Sequence, residues 1–417
     1  MLNKPLKIAI ATSLYAPFLA GVSIAVHQRV RWFLQQGHEV FLIHPQINHK
    51  YPPNVRKRPM PGLDELKQYP NFTNYEFPTE PLIFYKSLPQ PLNHRHWSDT
   101  KLLEKFNPDI ILVEEAAQIR GIYSLFLQGY GRPIAVEYAK KTNTPTISLF
   151  HTDIVAYMKY YLGNQLSNLI RPFLPYLTKQ FSNYYDLSLF SSKEQLAKYQ
   201  AIKSQRSEYF PYQGVDCQKF NPENIVYNPI PDDNRPILLF VGRITSEKNV
   251  NQLLDIYPIV ADKIKGVHLI IVGSGPLEKE IKQRSFEFGS GVTIWGESHG
   301  QELLGLFARA DVFVNPSITE NFCTTNNEAL ASGTPVVAAI APSTPEQVTP
   351  GYNGFLAEPN NPEDFAKKII QILENPQLKA QMTANARPSI IEFDWSNCMK
   401  KLESKLYHVI AEFQFGI

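Results

Sequence analysis

Short apolar runs alternate with amphipathic stretches along most of the chain. Residues 7–11 (Lys-Ile-Ala-Ile-Ala) predict a buried strand. A loop with Pro17 and Gly21 follows, then a helix from about Ser23 to Gln36 with Val26, Val30, Phe33 and Leu34 on one face. Gly37 ends it, and 38–43 (His-Glu-Val-Phe-Leu-Ile) is the next strand. A βαβ unit of this kind implies a parallel sheet with a right-handed crossover. Residues 110–113, 146–150 and 187–192 continue that sheet, the last ending in a polar loop. Prolines crowd 45–95, among them Pro52, Pro53, Pro59, Pro61, Pro70 and Pro78, which predicts an irregular excursion with no long helix.

A second series begins after 228–236 (Asn-Pro-Ile-Pro-Asp-Asp-Asn-Arg-Pro), which reads as a linker. Strands are expected at 236–242, 267–273, 292–296, 311–316 and 335–339, with an amphipathic helix at 249–264. The expected fold is therefore α/β: two Rossmann-like doubly wound parallel sheets facing across a ligand cleft. The boundaries are 1–227, the linker 228–236, 237–390, and a helix at 391–417 expected to pack back on the first domain.

Composition narrows the class. The 417 residues exceed one ordinary core, and 43% hydrophobic content suits sizeable ones. A formal charge of +2 argues against a nucleic-acid binder. That total hides +7 on 1–235 and −5 on 236–417. Cys217, Cys323 and Cys398 are too few and too scattered for a disulfide framework or a zinc site, so a reducing, cytoplasmic setting is expected. No run reaches about 18 apolar residues, so no membrane-spanning helix is expected. The apolar run from Ile8 reads as a strand, not a targeting peptide.

Two segments carry candidate chemistry. In 317–337, Thr324 and Thr325 are expected N-caps of a helix running to Ser332, which Gly333 and Pro335 end. Glu320 then precedes the helix and Glu328 lies inside it. The amides of Cys323, Thr324 and Thr325 fall at its positive end, which suits a phosphate, and the two carboxylates suit sugar or ribose hydroxyls. In 241–249, Gly242 closes a strand, and Arg243 and Lys248 follow where such sheets bind anions. They would neutralise a diphosphate leaving group. A helix cap and ordinary surface charge explain the same residues without a function. No cluster with metal-ligand spacing is evident, and no metal or cofactor is expected.

Gly-Arg at 242–243, Glu-Lys-Asn at 247–249 and the two glutamates eight positions apart resemble retaining glycosyltransferase family 4 (GT-B fold, glycosyl transferases group 1). Further likeness lies in 15–23, 37–40, 107–111, 150–153, 214–222, 272–276, 332–337 and 353–356, in family order. Two departures from it stand out. Asn321 and Cys323 stand where the family commonly has glycine, and the first loop holds Gly21 where many members have two glycines.

The resemblance implies an enzyme moving a hexose from a nucleotide diphosphate sugar, UDP-linked before GDP-linked, to an acceptor hydroxyl. Arg243 and Lys248 would hold the diphosphate, Glu328 the ribose, and Glu320 the sugar with amides near Asn321, Phe322, Cys323 and Thr324. His151 would approach the transferred sugar. Backbone at Trp295, Gly296 and Glu297 would meet the base, and Gly21 would admit the phosphates.

Segment 153–185 mixes aromatics with Lys159, Arg171 and Lys179, as interfacial helices do. With Asp153, Tyr157 and Lys159 it resembles family members acting on diacylglycerol-type lipids. The +7 half then suits peripheral attachment to the cytoplasmic face of an anionic membrane. A buried helix is the plainer reading, with a soluble or polysaccharide acceptor. A non-catalytic sugar-nucleotide binder would lack Glu320, Arg243 or Lys248. A nicotinamide oxidoreductase would need a glycine fingerprint that 11–17 lacks.

Overall fold

Eight strands of the first sheet are β1 Lys7–Thr12, β2 Glu39–Gln46, β3 Phe72–Pro81, β4 Pro89–Pro91, β5 Ile110–Glu114, β6 Thr146–Phe150, β7 Leu187–Phe190 and β8 Ser207–Tyr209. The computed structural model describes residues 4–12, 14–15, 21–52, 62–81, 89–91, 101–114, 134–151, 172, 183–201, 206–320 and 322–415. By contact the chain divides into two units. The first is Met1–Tyr212 with Met399–Ile417, and the second is Gln213–Cys398.

In the first unit the strand order is β4-β3-β2-β1-β5-β6-β7-β8. Pairing is parallel throughout except β3 with β4. β1, β5 and β6 are buried on both faces, which is why they read as continuous apolar runs. The first helix is Gly21–Gln35, and Gly37 follows at φ 86°, the left-handed position that glycine occupies without strain.

The irregular excursion expected over 45–95 is corrected in part. β2 runs on through Pro45, and β3 lies parallel to it from Val40↔Phe72 to Gln46↔Pro78. A proline keeps its carbonyl and lacks only the N–H; Pro45 lies past the stretch of β2 that pairs with β1, and Pro78 and Pro81 stand on β3 near the sheet edge, so the ladder tolerates them. Among the described residues, β3 pairs on its other side only at Thr79–Pro81. Phe72 and Phe77 bury their rings and hold the strand down.

The helix Trp395–Phe415 crosses the boundary, and its residues from Met399 belong to the first unit. There Glu403 accepts from Trp32 and pairs with His38 at 3.1 Å. Lys405 reaches Glu208 at 2.6 Å, and Arg206 reaches Glu412 at 2.6 Å. Tyr407 donates to the carbonyl of Lys4.

The second unit holds β9 Ile237–Val241, β10 His268–Val272, β11 Val292–Gly296, β12 Val312–Asn315, β13 Val336–Ala339 and β14 Gly354–Ala357. They lie parallel in the order β11-β10-β9-β12-β13-β14. Alternation within β9 divides the core. Leu238 and Phe240 pack with Phe365 and Ile369 of the helix Pro362–Leu373, while Ile237 and Leu239 pack with Phe307, Leu330 and Phe393.

Residues 213–222, ahead of the 228–236 linker, belong to this unit for a visible reason. Val215 pairs with Asp394, and Phe220 meets Phe307 edge to face. Arg387 donates to the carbonyls of Cys217 and Phe220 at 2.6 and 2.8 Å.

Candidate functional site

In the second sheet the strand order turns between β9 and β12, and the loops leaving the carboxyl ends of these strands flank that point. Doubly wound sheets open a crevice there. The loops after β9, β10 and β11 are tied together past the strand ends. Gly242 N–H donates to Val272 O, Ile244 N–H to Ser274 O, and Gly273 N–H to Gly296 O, at 2.7–3.0 Å. Gly273 sits at φ 135°, and a Cβ there would lie 1.9 Å from the carbonyl oxygen of Gly242. So the turn at 273–276 is more than punctuation: two backbones meet where only a glycine fits.

Arg243 and Lys248 follow β9. Lys248 Nζ donates to Glu320 Oε1 at 2.6 Å, and Glu320 is 5% exposed. Arg243 donates to Glu247 at 2.9 Å, while the Glu247 backbone carbonyl accepts from Ser317 and Thr319. The structure thus joins the two segments singled out in the sequence, 72 residues apart at the Lys248–Glu320 pair.

The helix is Thr324–Ala331, with Gly333 left-handed behind it at φ 82°. One expectation is corrected: Cys323 takes the N-cap position without a side-chain cap, and Thr324 and Thr325 lie in the first turn. The cap is displaced because the Cys323 side chain is held inward. Its sulfur receives a hydrogen bond from Asn315 at 3.1 Å, its carbonyl one from Gln347 at 2.9 Å, and burial pushes its thiol up to about 12. Asn321 lies outside the described residues. Phe322 packs on the core beside Phe393.

Glu328, partly buried one turn inside the helix, has its carboxyl pushed up to about 7 by burial, against a pull downward from Lys219. Trp295 packs partly buried on the same core, Gly296 is left-handed at φ 84°, and exposed Glu297 accepts from Ser274.

In the first unit, His151 follows β6 and is buried. Its Nε2 pairs with Glu114, the last residue of β5, and Glu114 also pairs with Arg29 of the first helix. Gly21 begins that helix, and a Cβ there would meet nothing within 4 Å. Asp153, Tyr157 and Lys159 lie outside the described residues. Sequence reasoning missed Arg29 and Glu114. The available signals were an arginine on the apolar face of the first helix and an acid closing an all-apolar strand.

Among the described residues no group of His, Cys, Asp and Glu is placed to hold a metal ion, and no helix is long and apolar enough to cross a membrane.

Residues 223–389 match the family described as glycosyl transferases group 1. The chain is 24% identical over 415 residues to a GDP-mannose-dependent alpha-mannosyltransferase of Corynebacterium glutamicum, covering 98% of this chain and 90% of that protein. It is 27% identical over 285 residues to sulfoquinovosyl transferase SQD2 of Arabidopsis thaliana, covering 66% of this chain but only 54% of that protein. The Anabaena Alr3699/HepE structure in complex with UDP shares the fold at TM-score 0.72 and 18% identity, over 97% of this chain and 100% of that one. The two Rossmann-like parallel sheets and the structural likeness agree. The matched segment of the glycosyl transferases group 1 family, residues 223–389, thus falls within the second unit.

Proposed function

We propose that this protein is a retaining hexosyltransferase that moves a hexose from a nucleotide diphosphate sugar to an acceptor hydroxyl. The observation that carries this reading is the Lys248–Glu320 pair, set at the turn in strand order just ahead of the helix Thr324–Ala331. A cation, a carboxylate and helix amides at one sheet edge suit a sugar diphosphate.

In the proposed reaction the bond from C1 to the β-phosphate oxygen breaks, and a bond from C1 to the acceptor oxygen forms on the same face. The acceptor's proton passes to the departing phosphate, and the nucleoside diphosphate leaves. Arg243 and Lys248 stabilise the charge that develops on it. Glu320, with amides at Asn321 to Thr324, holds the sugar. Glu328 accepts from the ribose hydroxyls. Gly242, Trp295, Gly296 and Glu297 line the nucleoside, Gly21 the phosphates, and His151 contacts the transferred sugar.

The acceptor is proposed to be a membrane lipid of the diacylglycerol type, met at an anionic cytoplasmic surface. Asp153, Tyr157 and Lys159 would lie on the acceptor side. The likeness to SQD2 supports this, as does 27% identity over 202 residues to a mannosyltransferase of Corynebacterium glutamicum named for a monoacylated phosphatidylinositol monomannoside.

The test is a donor panel of UDP-, GDP- and ADP-sugars with radiolabelled sugar, with and without a lipid extract. Label in the organic phase is expected with lipid present. Label only in water-soluble product replaces the lipid acceptor, and no transfer from any donor removes the enzymatic reading.

Glu328 adds a pH dependence. With its carboxyl at about 7, the protonated form loses acceptor capacity toward ribose hydroxyls as pH falls. Nucleoside diphosphate affinity, measured by calorimetry, should therefore rise up to about tenfold from pH 6 to pH 8. Glu328→Gln should bind weakly and flatten the profile.

A further inference from the structure

A buried run of polar groups in the first unit has no part in the chemistry described so far. It begins where β1 ends. The Thr12 hydroxyl donates to the Leu14 carbonyl at 3.0 Å and accepts from the Leu14 N–H at 3.2 Å, which turns the backbone ahead of Tyr15. The Tyr15 side chain is fully buried, and its hydroxyl lies 2.8 Å from Nδ1 of His27, buried on the first helix. The other ring nitrogen, Nε2, lies 3.1 Å from Glu65 on the short helix Leu63–Leu66. Glu65 also accepts from Arg31, one turn further along the first helix, at 3.5 Å. The Glu65 side chain is 37% exposed, so the run leads from solvent to a buried hydroxyl.

Its direction follows from its outer end. A carboxylate only accepts, so His27 Nε2 carries the hydrogen and Nδ1 is an acceptor. The Tyr15 hydroxyl therefore donates to Nδ1. Burial favours the same state at both groups. It lowers the His27 imidazole against the upward pull of Glu65, which keeps the ring neutral, and it raises the Tyr15 phenol, which keeps its proton. His44 packs on the Tyr15 ring at 5.2 Å, and burial lowers it to about 4, so this neighbour is neutral as well.

A phenylalanine would fill the same space and need no partner. What the hydroxyl adds is direction: a buried polar bond is costly to break, so it holds its two ends in one arrangement. Those ends are 12 residues apart, on either side of Gly21. β1 also borders β5 where the strand order turns, the place at which doubly wound sheets bind ligands.

We propose that Tyr15 is a positioning residue for the nucleotide donor: through His27 and Glu65 its hydroxyl fixes the first helix against the end of β1 and so holds Gly21 where the diphosphate approaches. This inference rests on the proposed contact between Gly21 and the phosphates.

The experiment measures UDP and GDP binding by calorimetry in Gly21→Ala, Tyr15→Phe, His27→Leu, His27→Asn and the double variant Tyr15→Phe with His27→Leu, alongside nitrogen-15 NMR of the histidine rings. At neutral pH the wild-type His27 ring should show the neutral tautomer with hydrogen on Nε2. Tyr15→Phe and His27→Leu should each weaken nucleotide binding roughly 3- to 10-fold, the worth of one hydrogen bond. The double variant should lose no more than either, because both break the same bond. It strands no polar partner and serves if a single variant is unstable. His27→Asn keeps an acceptor facing the hydroxyl, so it should recover most of the affinity lost in His27→Leu.

Wild-type affinity in Tyr15→Phe or in the double variant overturns the proposal, as does a charged His27 ring or one with hydrogen on Nδ1 alone. So does a His27→Asn variant as weak as His27→Leu. A Cβ at Gly21 would meet nothing within 4 Å, so Gly21→Ala probes the phosphate contact without disturbing the fold. If Gly21→Ala binds like the wild type, that contact fails and takes the positioning role with it. If Gly21→Ala binds weakly and Tyr15→Phe does not, only the positioning role fails. If neither nucleotide binds the wild type, the donor reading and the proposal fall together.

Discussion

Lys248→Ala is expected to lower kcat/KM at least about 100-fold, close to 3 kcal/mol at the transition state. Two losses add. The cation proposed to meet the departing diphosphate is gone, and Glu320, only 5% exposed, is left without the ammonium that lies 2.6 Å from it. The same reduction is expected of Glu320→Ala, which removes the carboxylate that accepts from Lys248 and is proposed to hold the sugar. Because the two side chains touch, the double variant should lose less than the sum of the single losses. Steady-state transfer rates with melting temperatures as folding controls decide it. Wild-type-like rates in both single variants would remove the assignment of this edge as the donor site.

The second large effect is structural. Gly273→Ala is expected to destabilise the second unit by more than about 4 kcal/mol, beyond the range of ordinary substitutions. The new methyl would fall 1.9 Å from the carbonyl oxygen of Gly242, and no side-chain rearrangement relieves a clash between backbones. The φ of 135° adds strain for any residue with a Cβ. Gly242 stands directly before Arg243, so a variant that still folds should have a displaced β9 loop and weak nucleotide binding. Chemical denaturation and nucleotide calorimetry on one preparation measure both. A change under about 1 kcal/mol would show that the close approach of the two loops is not real.

Much of the fold was legible because parallel strands buried on both faces leave unbroken apolar runs. β9, β10, β12 and β13 all lie within their expected spans, trimmed by a residue or so at the ends. β3 was hidden because Pro78 and Pro81 mimic a loop, and its support comes from register with β2 rather than from local pattern. The residues proposed for the donor side were readable as two separate motifs. Their union through Lys248 and Glu320 needed the resemblance or the structure. The Arg29–Glu114–His151 cluster was illegible for a sharper reason. Its members lie 85 and 37 residues apart, on elements whose local patterns each look complete without the others. Cys323 shows the same limit at short range: side-chain preference favoured a threonine cap, and a buried bond from Asn315 decided otherwise.

The helix Trp395–Phe415 has a consequence for how the chain is made. The second unit is one continuous stretch, whereas the first is assembled from two pieces that bracket it. During synthesis the first sheet emerges early, but its partners Glu403, Lys405 and Tyr407 follow only after every residue of the second unit has been added. At 5–20 residues per second that interval is roughly 10 to 40 seconds. For that time His38, Trp32 and Glu208 stay uncovered, so the nascent first unit depends on its own sheet, or on a chaperone, until the returning helix closes it.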